Sequence, residues 1–486
     1  MNVGKTLLAT ATLTGLAGLY GCGGGGDDTT IEICNVEGSC TSESGGGNGS
    51  NPISLSCPSW SSARPVDAMG NDVCQLPSEI LEDRTLTSDI IWYLAGRVTV
   101  GNGNREMSVT EGTLENGSPV VNATLTINPG TQIVARKGTF ANLLITRGSR
   151  IEASGTAAEP IIFSSDDEGL DGTGEWGGVI LHGYGRHNEC LTANEGTTAC
   201  NIDAEGESGF AGGYDNTDNS GTMSYVVITE GGFEFAPGNE INGLSLVAVG
   251  AGTSIDHIQV NSNSDDGVEF YGGAVNAKYL VLTGNLDDSV DWDEGFQGNL
   301  QYVLVIQAPA TEGNAIEADT EGTLDFYSIP TIANATFIGD GTNDELWVFK
   351  ASSGGYLLNT IGTVASGNTT IVNCVNVDGV GAEANIGTLL ALNNVIYNCT
   401  NFGTDAGDDA LAAVGVTAVD PQLDVNYAAQ DAAASGVPLD IAGFKAAYPA
   451  SVADEAFFDA TDYIGAVDPA ASGPFWYEGW TVEGSL

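Results

Sequence analysis

Along most of this chain the apolar residues do not recur at helical spacing. They fall in short alternating runs broken by Gly, Asn and Asp, a pattern that predicts β-strands joined by tight turns. Leu125-Thr126-Ile127 before Asn128-Pro129-Gly130 is one such run, followed by Leu144-Ile145-Thr146, Pro160-Ile161-Ile162-Phe163 and Gly178-Val179-Ile180-Leu181. Further on the runs become a repeat. Ile255-Asp256-His257-Ile258-Gln259-Val260 aligns with Ala277-Lys278-Tyr279-Leu280-Val281-Leu282 and with Leu300-Gln301-Tyr302-Val303-Leu304-Val305. Each is followed by an acidic half: Asp265-Asp266-Gly267-Val268-Glu269-Phe270, Asp287-Asp288-Ser289-Val290-Asp291-Trp292, then Gly313-Asn314-Ala315-Ile316-Glu317-Ala318. The step is 22 residues from Val268 to Val290 and 26 more to Ile316. A period of that size, built of short strands without an intervening helix, predicts a β-solenoid. The Leu/Asn signature of a leucine-rich repeat is absent, and a propeller blade would need about 40 residues. The expected fold is therefore all-β, a right-handed parallel β-helix.

The two ends differ from this pattern. Lys5 precedes a short apolar run, Thr6 to Tyr20, which ends Leu19-Tyr20-Gly21-Cys22. The run is too short to span a bilayer and reads as a secretory signal, residues 1–21. Its end is similar to the bacterial lipobox, which makes Cys22 the acylated N-terminus. Gly23 after the cysteine favours the outer membrane among lipoproteins of that kind. Residues 22–52, with Gly23-Gly24-Gly25-Gly26 and Gly45-Gly46-Gly47, form a tether unable to bury a core. Residues 53–409 are expected to hold the β-helix with an N-terminal capping region. The Ala-rich stretch 410–486, with a short helix at Ile441–Tyr448, is expected to cap its end, since open strand edges need cover.

Charge narrows the partners. The chain carries 64 acidic and 13 basic residues, a net charge of −51. Nucleic acid is excluded as a natural partner; metal cations and solvation remain. Of nine cysteines, Cys22 is assigned to lipid, and the other eight predict disulfides in an exported chain. Neighbours in sequence suggest Cys34–Cys40, Cys57–Cys74, Cys190–Cys200 and Cys374–Cys399. Asn373-Cys374 and Asn398-Cys399 lie 25 residues apart in similar contexts. Stacked one turn apart at ~4.8 Å, the cysteines would meet disulfide geometry and the asparagines would form an amide ladder.

The repeat also stacks like charges. Glu269, Asp291 and Glu317 share one column, and Asp266, Asp288 and Asn314 another, with Asp265 and Asp287 beside them. Asp293 and Asp319 match two positions on. Unit charges ~4.8 Å apart repel by ~0.9 kcal/mol in water and ~3.5 kcal/mol at an effective dielectric of 20. The carboxylates can splay into water, share protons or bind a cation. Calcium, which takes 6–8 oxygen ligands, suits such a ladder.

Catalytic signals are weaker, and no catalytic residue is assigned. A calcium-dependent lyase needs a basic residue beside its metal, yet between Arg186 and Lys350 the only Lys or Arg is Lys278. Carboxylate pairs alone can serve glycoside hydrolysis. His182, His187 and His257 show no ligand spacing, and Asp256-His257 reads as structural ahead of an acid/base dyad. Trp176, Trp292, Tyr271 and Phe296 read as core aromatics ahead of a sugar-stacking platform.

Several segments resemble a bacterial surface family of lipoproteins and secreted proteins with β-helix bodies. They are Gly174-Glu175-Trp176-Gly177-Gly178-Val179-Ile180-Leu181-His182-Gly183, Glu240-Ile241-Asn242-Gly243-Leu244-Ser245-Leu246, Ser264-Asp265-Asp266 to Gly273, and Asp462-Tyr463-Ile464-Gly465-Ala466-Val467 with Gly479-Trp480-Thr481. The resemblance implies fold and surface location and brings no activity with it. The expectation is a non-catalytic outer-membrane lipoprotein presenting a rigid acidic face, calcium-bearing or not, to a glycan, another ligand or an outer-membrane receptor. The alternative is a polysaccharide lyase or glycoside hydrolase using the stacked carboxylates.

Overall fold

The computed structural model describes residues 53–486 except 55, 168, 205, 236–239, 310–312, 321–325, 342–344, 366–372 and 414. The signal, the tether, Cys22 and the Cys34–Cys40 pair lie outside the described residues. Those described form a parallel β-helix, within one compact unit spanning 51–486.

Each middle turn has three sides. One is a short strand of a ten-stranded parallel sheet, in which Leu244–Val247, Val268–Tyr271, Val290–Asp293 and Ile316–Ala318 lie side by side. The other two are halves of one long strand, as in Ser254–Asn261, Asn276–Thr283 and Asn299–Ile306. The long strand bends at a single residue with positive φ, and that residue repeats from turn to turn: Tyr225, His257, Tyr279, Tyr302, Asn334, Asn359 and Asn394, with φ between 46° and 62°. Asparagine tolerates this left-handed conformation; for aromatic residues it carries strain. Stacking offsets the strain. The Tyr225, His257, Tyr279 and Tyr302 rings pile up at centroid spacings of 4.2, 4.3 and 4.7 Å, at or just inside the short end of the ~4.5–7 Å range over which aromatic pairs contribute about 0.5–1.5 kcal/mol.

The register read from the sequence holds. Ile255 pairs with Ala277 and then Leu300, and Val268 with Val290 and then Ile316. Alternate residues of the short strands point inward, where Phe270, Trp292, Phe296, Trp347 and Phe349 are buried with the aliphatic residues of the long strands. Trp176, Trp292 and Phe296 have 0% exposure, so they are core residues and offer no sugar platform.

Three of the expected disulfides form: Cys57–Cys74, Cys190–Cys200 and Cys374–Cys399, with Cα separations of 5.6, 5.2 and 5.5 Å. The stacking argument for the last is overturned. Cys374 lies on the ten-stranded sheet, in Asn373–Asp378, whereas Cys399 follows Val395–Asn398 on the bent side, which pairs with Ile361–Val364. The bond therefore ties two sides of the helix together. Asn373 meets Asn401 rather than Asn398. The asparagine column lies at the bend instead, where Asn394 donates to Asn359 at 3.1 Å.

The C-terminal part serves in two ways. The helix Ala406–Ala412, capped by Asp405, seats Leu411 on the end of the core. The last β-helix strand, Val416–Ala418, still pairs with Val395–Tyr397, so the solenoid runs past residue 409. Beyond it the chain contains the short helix Ile441–Ala447, and its final stretch returns along the flank of the bent strands. Gly465 bonds to Asn359, Asp459 to Gln301 and Val482 to Gln259, while Trp480 packs beside His257. The tail is thus an edge-on strap across several turns as well as an end cap.

Trp292→Ala removes a fully buried indole from the middle turns. A loss of about 3–5 kcal/mol is expected, read as a lowered denaturation midpoint with the parallel-strand circular dichroism retained before the transition.

Candidate cation site on the acidic face

On the short strands Val268 and Phe270 point inward, so Glu269 and Tyr271 point outward. Pairing carries that outward position from Ser245 to Glu269, Asp291 and Glu317. The preceding turn adds Asp266 and Asp288. These two hold the turns together. The Asp288 backbone N–H donates to Asp266 Oδ1 at 2.9 Å, and the Asn314 N–H donates to Asp288 Oδ1. Each carboxylate thereby satisfies a turn amide one level on.

An outward side chain is usually hydrated, but here the face is partly roofed. A hairpin, Ile202–Ala204 with Gly209–Ala211, packs Ala204 and Ala211 against Leu144, Ile180 and Val247. Arg147 anchors this excursion: its buried guanidinium donates to the carbonyls of Gly103, Arg105, Cys200 and Gly212. His182 pins the hairpin through Phe210 O and Ser208 Oγ, both at 3.1 Å. Burial pushes the His182 pKa down to about 3, as it does for His187, so both are neutral structural residues. His257 bonds to Asp256 at 2.7 Å with its ring held between Tyr225 and Tyr279, also a structural setting.

Beside this roof, Asp266, Glu269 and Asp288 keep 6%, 7% and 5% exposure. Three sets of carboxylates bring oxygens within 4.8 Å of one another: Asp265, Asp266 and Asp287; Asp266, Glu269 and Asp291; and Asp288, Asp291 and Glu317. Asp291 belongs to two of them. Its Oδ1 is buried and without a hydrogen-bond partner among the described residues. Glu269 accepts from Asn242 at 2.5 Å. Asp293 and Asp319 join no set: each caps the following turn, through the Glu294 and Thr320 backbone amides. Their inclusion among the metal ligands is therefore corrected, because they sit one outward position further along the strand.

Burial, first, and then the neighbouring carboxylates hold the pKa values of Asp266, Asp288 and Asp291 well above the usual carboxylate range. Such a group favours its proton. A cation removes the same penalty without protonation. Oxygens on opposite sides of one Ca²⁺ stand about 4.6–5.2 Å apart, given bond lengths of 2.3–2.6 Å, so the spacing of each set is one a single calcium ion spans.

Between Arg186 and Lys350 the sequence offers only Lys278 as a lysine or arginine, but Lys350 itself reaches the column. Lys350 ends the strand Glu345–Lys350, on the next level, and pairs with Glu317. Burial works against its charge, but Glu317, Asp288 and Asp291 hold its pKa above the usual lysine value. Lys278 lies on another side, paired with Asp459 at 2.9 Å. The offset between Glu317 and Lys350 hid this neighbour in the sequence; a strand alignment extended one turn past Ile316 to Trp347 would have found it. Glu317 and Lys350, with 23% and 39% side-chain exposure, leave this end of the column open to solvent. A cleft of about 690 Å³ between Thr363, Asn398 and Asp420–Asp424 includes no residue of the column.

Residues 82–447 match the family model of a pectate-lyase-like β-helix domain. No curated protein and no solved structure matches the chain.

The raised carboxylate pKa values set a pH dependence. Without a cation the folded state binds more protons than the unfolded state between their pKa values, so stability falls as pH rises through that window and recovers on acidification towards about pH 4. In chelator, melting temperature is expected to rise between pH 7 and pH 5. Asp288→Asn with Asp291→Asn should raise the pH 7 value and flatten the dependence. Thermal melts of both proteins at the two pH values check this.

Proposed function

Because the chain belongs to the pectate-lyase-like β-helix family, we propose that its acidic column binds calcium and through it an anionic glycan, on a β-helix anchored to the bacterial outer membrane by lipid on Cys22. The observation that carries this reading is Asp291 Oδ1, buried and unpartnered where two carboxylate sets meet. A solvated acidic face would turn such an oxygen to water. A purely structural network would give it a donor, as it does for Asp266 and Asp288. A cation of oxygen preference meets both requirements, and its remaining coordination positions are open to the carboxylates of a uronic acid chain. The acidic protein and an acidic glycan repel each other unless such an ion lies between them.

Lys350 favours a second, catalytic reading. In β-elimination calcium withdraws charge from a uronate carboxylate, and a base removes the proton on the adjacent carbon as the glycosidic C–O bond breaks. Lys350 stands beside the column for that role, but the unscreened carboxylates keep it protonated. Calcium on Glu317 would lower its proton affinity, which makes any such activity strictly calcium-dependent. Absorbance from an unsaturated product, lost in Lys350→Met, would favour the lyase; binding without product favours recognition alone.

Calcium at a hundredfold excess over Kd adds about 2.7 kcal/mol to folding stability, a rise of about a few degrees in melting temperature for a chain of this size. Sodium at equal ionic strength should reproduce only screening. Equal melting points in the two salts would end the calcium reading, and a calcium-specific rise should vanish in Asp288→Asn plus Asp291→Asn. For the anchor, Cys22→Ser should move the protein from the membrane fraction to the soluble one, since acyl chains contribute about 0.8 kcal/mol per buried CH₂. Wild-type membrane retention by that variant would rule out the lipid anchor.

A further inference from the structure

The Trp176-Gly177-Gly178 segment has a structural task away from the acidic column. Residues 231–235 lie along residues 174–177: the Gly174 N–H donates to Gly231 O, Gly232 N–H to Gly177 O, and Phe233 N–H to Trp176 O. Only glycine permits this approach. A Cβ on Gly177 would stand 2.9 Å from Asn142 Cβ and 3.0 Å from Ala141 O, and one on Gly178 would stand 2.1 Å from Asn242 O. The close packing brings half-buried Phe233 and Phe235 beside Phe140, which is 48% exposed, around a cavity of about 310 Å³. A single exposed phenylalanine is ordinary on a protein surface. Three around one opening form an apolar patch of the kind that marks a binding site.

The charges around this cavity select the ligand. Arg97 lines it, but its guanidinium is turned to the protein. Its Nε donates to Asn142 Oδ1 at 3.0 Å, and its two terminal nitrogens donate to the carbonyls of Gly206 and Glu207. Arg97 thus fixes the turn between Ile202–Ala204 and Gly209–Ala211, where Gly206 and Glu207 have φ of 65° and 52°. Burial lowers the Arg97 pKa, and the Glu207 charge works against that change. Glu207 therefore offsets the guanidinium, and Glu234, also exposed at the rim, leaves the cavity with a surplus of negative charge. The faces of the three phenyl rings are electronegative as well.

We propose that this cavity binds a small quaternary ammonium ion, with its methyl groups on the faces of Phe140, Phe233 and Phe235 and with Glu207 and Glu234 as counter-ions. Aromatic walls and carboxylates together recognise a cation that carries an apolar surface. A primary ammonium fits less well. It brings three N–H donors that each need an acceptor, and the Gly206 and Glu207 carbonyls at the cavity already serve Arg97. A fully methylated nitrogen needs no acceptor and keeps its charge at every pH. The volume is at the lower end of the ~300–1,000 Å³ of small-molecule sites, which suits a free ion of this kind. The site is independent of the proposed calcium and glycan binding, since none of its lining residues belongs to a carboxylate set of the column.

The test is titration calorimetry of the full chain with choline as the probe, in chelator and at physiological ionic strength, where a Debye length of about 8 Å screens the overall charge. Choline is expected to saturate one site. Its neutral carbon analogue, 3,3-dimethyl-1-butanol, has the same shape without the charge and should bind about fivefold or more weakly, and ethanolamine, a primary ammonium, should also bind more weakly. Phe140→Leu keeps an apolar side chain and removes the ring, at an exposed position where folding does not depend on it. It should weaken choline about fivefold or more, while Phe140→Tyr should restore binding. Glu234→Gln should weaken choline and leave the neutral analogue unchanged. Asp288→Asn plus Asp291→Asn should leave choline affinity unaltered. No saturable choline binding, equal affinity for the neutral analogue, or full affinity in Phe140→Leu would each overturn the proposal. Loss of choline binding in the Asp288 and Asp291 variant would place the cation on the column and overturn it too.

Discussion

Everything in this molecule depends on parallel strands stacking in register at ~4.8 Å. Each side chain meets the same position of the next turn, so whatever chemistry one turn holds, its neighbour repeats or complements. For apolar residues the result is a continuous core through Phe270, Trp292 and Phe349. For aromatic residues at the left-handed bend it is a column of rings whose stacking offsets backbone strain. For carboxylates it is a ladder of like charges that no rearrangement of single side chains can disperse, because the backbone fixes the spacing.

That constraint separates two kinds of acidic residue. Asp266 and Asp288 stabilise the turns by accepting a backbone amide from the level above. Asp291 does not. It lies between Asp266 and Glu269 in one set and Asp288 and Glu317 in the other, with its Oδ1 buried. The turn amides explain why aspartate recurs at the first position. The buried, unpartnered oxygen at the second has no such explanation among the described residues, and it suits the column to a cation.

The fold was legible because the repeat is local: Val268, Val290 and Ile316 announce their pairing through spacing alone, and with it the carboxylates that share a face. Features that depend on how far apart two sides of a turn fall were not legible. Lys350 enters the site on a strand that pairs Phe349 with Ala318, a step of 31 residues and longer than the 22 and 26 before it. Cys374 and Cys399 pair correctly, yet across sides of the helix, which similarity of their flanking residues concealed. Buried histidines were readable as structural only in outline; their partners in the hairpin came from the fold.

The most direct test is the anomalous scattering of crystals grown with calcium and again with a heavier divalent or lanthanide substitute. The expected result is a peak bonded to Asp291 Oδ1 at about 2.3–2.6 Å, with further oxygens from Glu269 and Asp266 or from Asp288 and Glu317. An ion-free column at saturating calcium, with the carboxylates paired oxygen to oxygen through shared protons, would contradict a cation site.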